Sequence, residues 1–212
     1  MTDDLTQDEI NARANEKARK RKAARDRMLA DKTVEKGLLI VHTGKGKGKS
    51  TAAFGLVFRA LGNGLRVGIV QFVKGKWETG ERHALERFAD QVEVHTMGEG
   101  FSWDTQDRAR DIRAAEAAWA KSQELIEACR GPQPRFDLLL FDELNIPLRY
   151  DHLPLDEVVA VLKAKPPMLH VVVTGRNAKP ELIEAADLVT EMTQVKHPFR
   201  EQNVKAQKGI EF

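Results

Sequence analysis

A run of glycines and lysines between positions 43 and 51 offers the clearest chemistry in the sequence. It reads Thr43-Gly-Lys-Gly-Lys-Gly-Lys-Ser-Thr51, after a strand-like apolar stretch and before a helix-like one. That context is the one a Walker A phosphate-binding loop requires. Glycines let successive N–H groups turn toward phosphate oxygens, and the first turn of the helix adds its positive dipole. The run therefore predicts a triphosphate site.

Each part of this loop has an expected task. Lys49 would supply a cation to the phosphates, and the Ser50 hydroxyl would ligate Mg²⁺. The usual pattern begins with glycine five residues before Gly48, but Thr43 stands at that position here. We expect Gly44 to make the turn instead. The residues predicted to hold the nucleotide are Thr43, Gly44, Lys45, Gly46, Lys47, Gly48, Lys49, Ser50 and Thr51.

Two acidic residues follow an apolar run further along the chain. Leu138-Leu-Leu-Phe141 reads as a buried strand, and Asp142 and Glu143 come directly after it. We expect this strand to neighbour the one before the loop, because ligands gather at the carboxyl ends of parallel strands. One of the carboxylates would then hold Mg²⁺, directly or through water. The spacing leaves open which of the two is the closer ligand.

The elements that must position these groups alternate between strands and helices. Apolar runs predict strands at 38–41, 66–72, 92–96, 138–141 and 169–173, with a weaker one at 188–192, and helices at about 49–61 and 105–130. Continuous apolar strands indicate burial on both faces, and the alternation predicts an α/β fold with a mainly parallel sheet flanked by helices. We assign this domain to residues 37–212.

The first 36 residues differ in character from the rest. They hold ten Lys and Arg against eight Asp and Glu, almost no large apolar side chains, and several alanines that favour helix. Such a charged helical arm cannot pack firmly into a core. It would be a solvated extension, a lid that orders over an anionic ligand or a partner subunit, or an arm that binds nucleic acid.

The sequence excludes several classes of protein. Its apolar runs are far shorter than the roughly 20 residues of a membrane span, and the single Cys129 cannot form an internal disulfide. We therefore expect a cytoplasmic protein that does not act on membranes. The formal net charge is only +2, so bulk electrostatics do not favour nucleic acid as a partner.

Several separate motifs, in one order, resemble the P-loop type of ATP:corrinoid adenosyltransferase. The resemblance covers about residues 37–212 and implies a P-loop NTPase-like fold. Its motifs are Thr43 to Gly55, Val70-Gln-Phe-Val-Lys-Gly75, Gly100-Phe-Ser-Trp-Asp-Thr-Gln106, Asp142-Glu-Leu144, Val173-Thr-Gly-Arg176, Val195-Lys-His197 and the ending Val204 to Phe212.

The resemblance implies an activity. Members of this family transfer the 5′-deoxyadenosyl group of ATP to the Co(I) of cobalamin or a corrinoid precursor and release triphosphate, in adenosylcobalamin synthesis and corrinoid salvage. It also implies Mg²⁺, a homodimer, a reduced flavoprotein as electron donor, and a nucleotide bound in the reverse sense to that of hydrolases.

Roles for individual residues follow from the same resemblance. Phe101 and Trp103 match aromatic residues that displace the lower ligand of the corrinoid, Arg59 matches a nucleotide contact, and Lys49 and Glu143 complete the expected catalytic set. Two other classes stay open on the residues alone. One is a small-molecule kinase or ATPase, and the other is a nucleotide- or nucleic-acid-binding module that uses the N-terminal arm.

Overall fold

The computed structural model describes residues 6–73, 79–97 and 107–210. The chain divides into two compact units, Met1–Glu35 and Lys36–Phe212. The first unit holds helix α1 (Gln7–Ala30), whose start is fixed by a capping box in which the Thr6 side chain accepts from the Glu9 N–H and the Glu9 carboxylate accepts from the Thr6 N–H. No residue of α1 is buried, as its composition predicts.

The described part of the second unit contains one six-stranded sheet, and all of its strand pairs are parallel. Its order is β3-β2-β4-β5-β1-β6. The strands are β1 (Leu39–Thr43), β2 (Val67–Gln71), β3 (Val92–Thr96), β4 (Leu138–Asp142), β5 (His170–Thr174) and β6 (Leu188–Glu191). This confirms the predicted α/β fold with a mainly parallel sheet.

Helices cover both faces of this sheet. The described helices of this unit are α2 (Lys49–Gly62), α3 (Gly80–Leu85), α4 (Arg108–Glu127), α5 (Asn145–Arg149), α6 (Leu155–Lys163), α7 (Pro180–Ala185) and α8 (Pro198–Glu201), with a 3₁₀ turn at Glu86–Phe88. Helix α4 begins later than predicted, because the Asp107 side chain caps it by accepting from the Arg110 N–H. Helices α3, α5, α7 and α8 have only four to six residues, too few for a periodic pattern to reveal them. Helix α6 has apolar residues at helical spacing, at Leu155, Val158 and Leu162, and the sequence prediction missed it.

Alternate residues of each strand build two separate cores. On one face Phe141 of β4 packs edge-to-face against Trp119 of α4, with ring centroids 6.2 Å apart. On the other face Ile40 of β1 packs with Phe54 and Val57 of α2. This second core seats the helix that follows the predicted phosphate loop. In the part of the chain that the structure describes, no helix is both long and apolar enough to cross a bilayer.

The strand order corrects one expectation. The acidic strand β4 does not neighbour β1, because β5 lies between them and pairs with both. Strand order depends on which faces pack together, and a local apolar pattern does not contain that information. Helix α2 spans the gap, since it packs against β1, β5 and β4 alike.

Candidate active site

The phosphate loop connects the end of β1 to the start of α2 through two left-handed glycines. Gly44 has φ +100° and Gly48, the N-cap of α2, has φ +102°. Residues with a Cβ rarely adopt such angles, so glycine is required at both turns. Positions Gly44 and Gly46 are buried, whereas Lys45, Lys47 and Gly48 are exposed.

A second requirement for glycine comes from the chain that follows β6. The Gly46 N–H donates to the Met192 carbonyl oxygen at 2.7 Å, and the Met192 N–H donates to the Thr43 carbonyl oxygen at 2.8 Å. A Cβ on Gly44 would lie 2.4 Å from the Met192 oxygen, and one on Gly46 would lie 2.7 Å from the Thr193 backbone. The backbone of Met192 and Thr193 therefore packs against the loop and supports it, too closely for any side chain at positions 44 and 46.

The structure explains why threonine replaces the first glycine of the usual pattern. Thr43 is the last residue of β1 and is buried, and its Oγ1 accepts a hydrogen bond from the Ala178 N–H at 2.9 Å. The turn begins one residue later, at Gly44, as expected. Thr43 thus ties the loop to the segment after β5 rather than making the turn itself.

Lys49 is the buried cation of the loop. Only 6% of it is exposed, and its Nζ donates to the Gly46 carbonyl oxygen. Burial lowers the pKa of Lys49, the negative charge of Glu143 raises it, and the positive charges of Arg176 and Lys47 lower it. Three cations and one carboxylate therefore act on one another around the loop, and an anion bound there would offset the excess of positive charge.

Asp142 lies fully buried at the end of β4 and accepts hydrogen bonds on both carboxylate oxygens. Its Oδ1 accepts from Ser50 Oγ and from Thr174 Oγ1, each at 2.8 Å, and its Oδ2 accepts from Gln71 Nε2 at 3.4 Å. The first turn of α2 thus reaches across β5 to the acidic strand. Ser50 and Asp142, predicted as partners in one site, are brought together.

Glu143 occupies a strained position beside this pair. Its φ is +65°, unusual for a residue with a side chain, and its N–H donates to Thr174 Oγ1 at 2.8 Å. Space for it depends on Gly175, where a Cβ would lie 3.2 Å from Glu143 Oε2 and 2.7 Å from the Asn145 Cβ. The bond to Thr174 helps to hold this backbone conformation, and the half-buried carboxylate at the end of β4 acts by its charge on Lys49.

The oxygen donors around Ser50 fit a small, hard cation. A hydroxyl and one or two carboxylates, with the remaining positions left to phosphate oxygens and water, are the donors that Mg²⁺ takes in nucleotide sites. Over residues 6–73, 79–97 and 107–210, no group of three or more His, Cys, Asp or Glu could hold a metal without such help. The donor set therefore suits a metal that arrives with a nucleotide.

The other two predicted nucleotide contacts lie on α2. Arg59 lies in the last turn of α2, about 15 Å from Lys49 along the helix axis at about 1.5 Å per residue, and the structure does not bring it to the loop. Thr51 is exposed in the first turn of the same helix. Phe101 and Trp103 lie outside the described residues.

Several residues near the site were not singled out from the sequence. Gln71 and Thr174 are polar residues at the carboxyl ends of β2 and β5, and that placement on parallel strands is the signal that could have identified them.

A cavity of about 300 Å³ also opens beside the loop. Its lining includes Lys47, Arg176, His197, Phe199, Lys205 and Gln207.

Comparisons with known proteins agree with this geometry. Residues 35–212 match the family model described as ATP:corrinoid adenosyltransferase BtuR/CobO/CobP. The chain is 55% identical over 204 residues to a corrinoid adenosyltransferase of Sinorhizobium, covering 95% of this chain and 92% of the relative. It is 52% identical over 204 residues to one of Pseudomonas aeruginosa, covering 96% and 98%. It is 43% identical over 187 residues to corrinoid adenosyltransferase CobA of Salmonella typhimurium, covering 88% and 91%. The chain therefore belongs to the ATP:corrinoid adenosyltransferase family.

Proposed function

We propose that this protein transfers the 5′-deoxyadenosyl group of ATP to the Co(I) of a corrinoid and releases triphosphate, in adenosylcobalamin biosynthesis and corrinoid salvage. The observation that carries the proposal is the family match over residues 35–212, together with relatives of that name that align with nearly the whole chain. The phosphate loop supports it, because its buried Lys49 and left-handed glycines suit a polyphosphate.

The transfer is a nucleophilic substitution at carbon 5′ of the ribose. Co(I) donates an electron pair to that carbon and becomes Co(III), the new cobalt–carbon bond forms, and the carbon–oxygen bond to the triphosphate breaks. The nucleophile needs no activating base, so the protein's main tasks are to align the two substrates and to stabilise the leaving group.

The loop and its neighbours would stabilise that leaving group. Triphosphate gains negative charge as the bond breaks, and Lys49, Lys47 and the loop N–H groups offer fixed positive charge next to it. Ser50 and Asp142, with Glu143, would hold the expected Mg²⁺, as their oxygen donors suit it. The metal would supply further charge neutralisation on the phosphates. Burial of Lys49 strengthens its attraction for phosphate, because the site excludes part of the solvent.

Further parts of the proposal rest on the resemblance. Phe101 and Trp103 would displace the lower ligand of the corrinoid, which eases reduction to Co(I) because an axial donor raises the energy of the orbital that accepts the electron. A reduced flavoprotein would supply that electron. We also propose that the protein is a homodimer and acts in the cytoplasm, where ATP is available. ATP would bind in the reverse sense to that of hydrolases, with Arg59 and Thr51 as additional contacts.

The division into a charged arm at 1–36 and an adenosyltransferase domain at 37–212 is part of the same proposal. Deletion of residues 1–36 should leave a folded domain that binds ATP but turns over corrinoid more slowly, if the arm covers the site. A deletion that leaves turnover unchanged and abolishes salt-dependent binding of nucleic acid would instead favour the binding-module alternative.

Product analysis tests the proposed reaction against a kinase or ATPase. The protein is incubated with ATP, Mg²⁺ and a chemically reduced corrinoid, and the phosphate products are separated by anion-exchange chromatography. We expect one triphosphate for each adenosylated corrinoid, and neither product with Lys49→Ala. Stoichiometric ADP or inorganic phosphate in place of triphosphate would reject the proposal.

A further inference from the structure

A chain of side-chain hydrogen bonds connects the edge of the sheet to the buried Asp142. Arg82 Nη1 donates to Thr96 Oγ1 at 3.0 Å, Thr96 Oγ1 donates to Gln71 Oε1 at 3.1 Å, and Gln71 Nε2 donates to Asp142 Oδ2 at 3.4 Å. The strand register produces this row, because Gln71 pairs with Thr96 of β3 on one side and with Asp142 of β4 on the other. Paired residues of neighbouring strands project to the same face of a sheet.

The chemistry of the donors gives the row a single direction. A guanidinium group can only donate, so the Thr96 oxygen accepts from Arg82 and its one hydrogen is available for Gln71 Oε1. With its oxygen engaged by Thr96, the Gln71 amide must turn its NH₂ group toward Asp142. Every bond then points from the cation at the edge toward the carboxylate, and bonds aligned in this way strengthen one another.

This row meets Asp142 at a different carboxylate oxygen from the one that Ser50 contacts. Ser50 and Thr174 donate to Oδ1, whereas Gln71 donates to Oδ2. Donors on both oxygens restrict rotation of the carboxylate about its terminal torsion. Gln71 is 8% exposed and Asp142 is fully buried, so water has little access to replace a lost donor.

We infer that Gln71, oriented by Thr96 and Arg82, is a positioning residue that fixes the Asp142 carboxylate for binding ATP with its metal. The inference rests on the proposed function for the identity of the nucleotide. It adds to that function a residue that acts through its hydrogen bond to Asp142. Partners that orient a metal ligand are typically worth about tenfold to a hundredfold in metal affinity or activity.

Calorimetric titration of ATP separates this role from a general structural one. ATP affinity is measured with Mg²⁺ and with EDTA for the wild type, Gln71→Leu and Thr96→Val, and the gain in affinity caused by Mg²⁺ is the quantity compared. Because the row acts through Asp142, both variants should lose about tenfold of that gain and keep the wild-type affinity in EDTA.

Two matched controls and one double variant sharpen the test. Thr96→Ser keeps the hydroxyl and should retain the wild-type gain. Gln91→Leu removes a half-buried glutamine just before β3, outside the row, and should also retain it. Thr96→Val should have no further effect in the Gln71→Leu background, because both substitutions break the same row.

The inference is overturned if Gln71→Leu and Thr96→Val keep the wild-type gain from Mg²⁺, or if they lose affinity equally with Mg²⁺ and with EDTA. Failure of the proposed function would look different. In that case the wild type itself would form no adenosylated corrinoid, whatever the Mg²⁺ dependence of its ATP binding.

Discussion

Two glycines of the phosphate loop share one backbone conformation but differ in their surroundings. Gly44 has φ +100° and Gly48 has φ +102°, so alanine should suffer similar backbone strain at each position. Among the described residues, a Cβ on Gly48 would meet only Met192 Sδ, at 3.4 Å, which is ordinary contact. A Cβ on Gly44 would lie 2.4 Å from the Met192 oxygen and 2.7 Å from its nitrogen. We therefore predict that Gly44→Ala destabilises the protein much more than Gly48→Ala does.

The size of the difference follows from the contacts around Met192. Backbone strain costs about 1–3 kcal/mol at either position. Gly44→Ala must also displace Met192, which is held by its hydrogen bonds with Thr43 and Gly46. Forcing extra volume into a packed site adds about 1–3 kcal/mol. At about 2–4 °C per kcal/mol for a chain of this size, the Tm of Gly44→Ala should lie about 2–12 °C below that of Gly48→Ala.

Thermal and urea unfolding of the two variants measure this difference. Gly55→Ala is the matched control, because Gly55 lies within α2 and a Cβ there would have no described residue within 4 Å. Alanine in a helix interior should raise stability by about 0.5–1 kcal/mol. Equal stability of Gly44→Ala and Gly48→Ala would refute the claim that the backbone after β6 braces the loop.

Three further predictions concern single residues. Thr43→Val should destabilise the protein by about 1–3 kcal/mol, because it leaves the Ala178 N–H without an acceptor, whereas Thr43→Ser should keep the bond and the stability. Urea unfolding measures both variants, and equal losses of stability would contradict the role given to Thr43. Lys49→Arg should weaken ATP binding in calorimetry, because the buried site fits a compact ammonium group, and wild-type affinity would count against that fit. Burial lowers the pKa of His42 and of His170, so the unfolded chain binds more protons below about pH 6.5 and stability should fall as the pH drops through that range. His42→Leu should make this fall shallower in urea midpoints measured between pH 7.5 and 5, and an unchanged slope would rule out His42 as a source.

Local patterns predicted the strands and the phosphate loop because each depends on short-range chemistry. A buried parallel strand reads as a continuous apolar run, and the loop needs glycine wherever its backbone turns left-handed. The partnership of Ser50 with Asp142 was also predicted, since both residue types favour Mg²⁺. Neighbours in the chain determine the strands and the loop, whereas Ser50 and Asp142 lie 92 positions apart and were linked only by their shared chemistry.

Other features that depend on distant parts of the chain were not predicted. The insertion of β5 between β1 and β4 follows from packing of the whole sheet, and it changes how Ser50 reaches the acidic strand. The bond between Thr43 and Ala178 joins residues 135 positions apart. Gln71 carried the signal of a polar residue at the carboxyl end of a strand, but its role could not be predicted, because its partners become neighbours only when the strands pair.

The central claim is that the nucleotide is attacked at carbon 5′ and not at phosphorus. ATP labelled with carbon-13 at the 5′ position, supplied with Mg²⁺ and a Co(I) corrinoid, tests it directly by carbon-13 NMR of the purified corrinoid. We predict that the labelled carbon appears bonded to cobalt, at one label per corrinoid and only when active protein is present. A label that stays in ADP, AMP or adenosine, with an unmodified corrinoid, would contradict the claim.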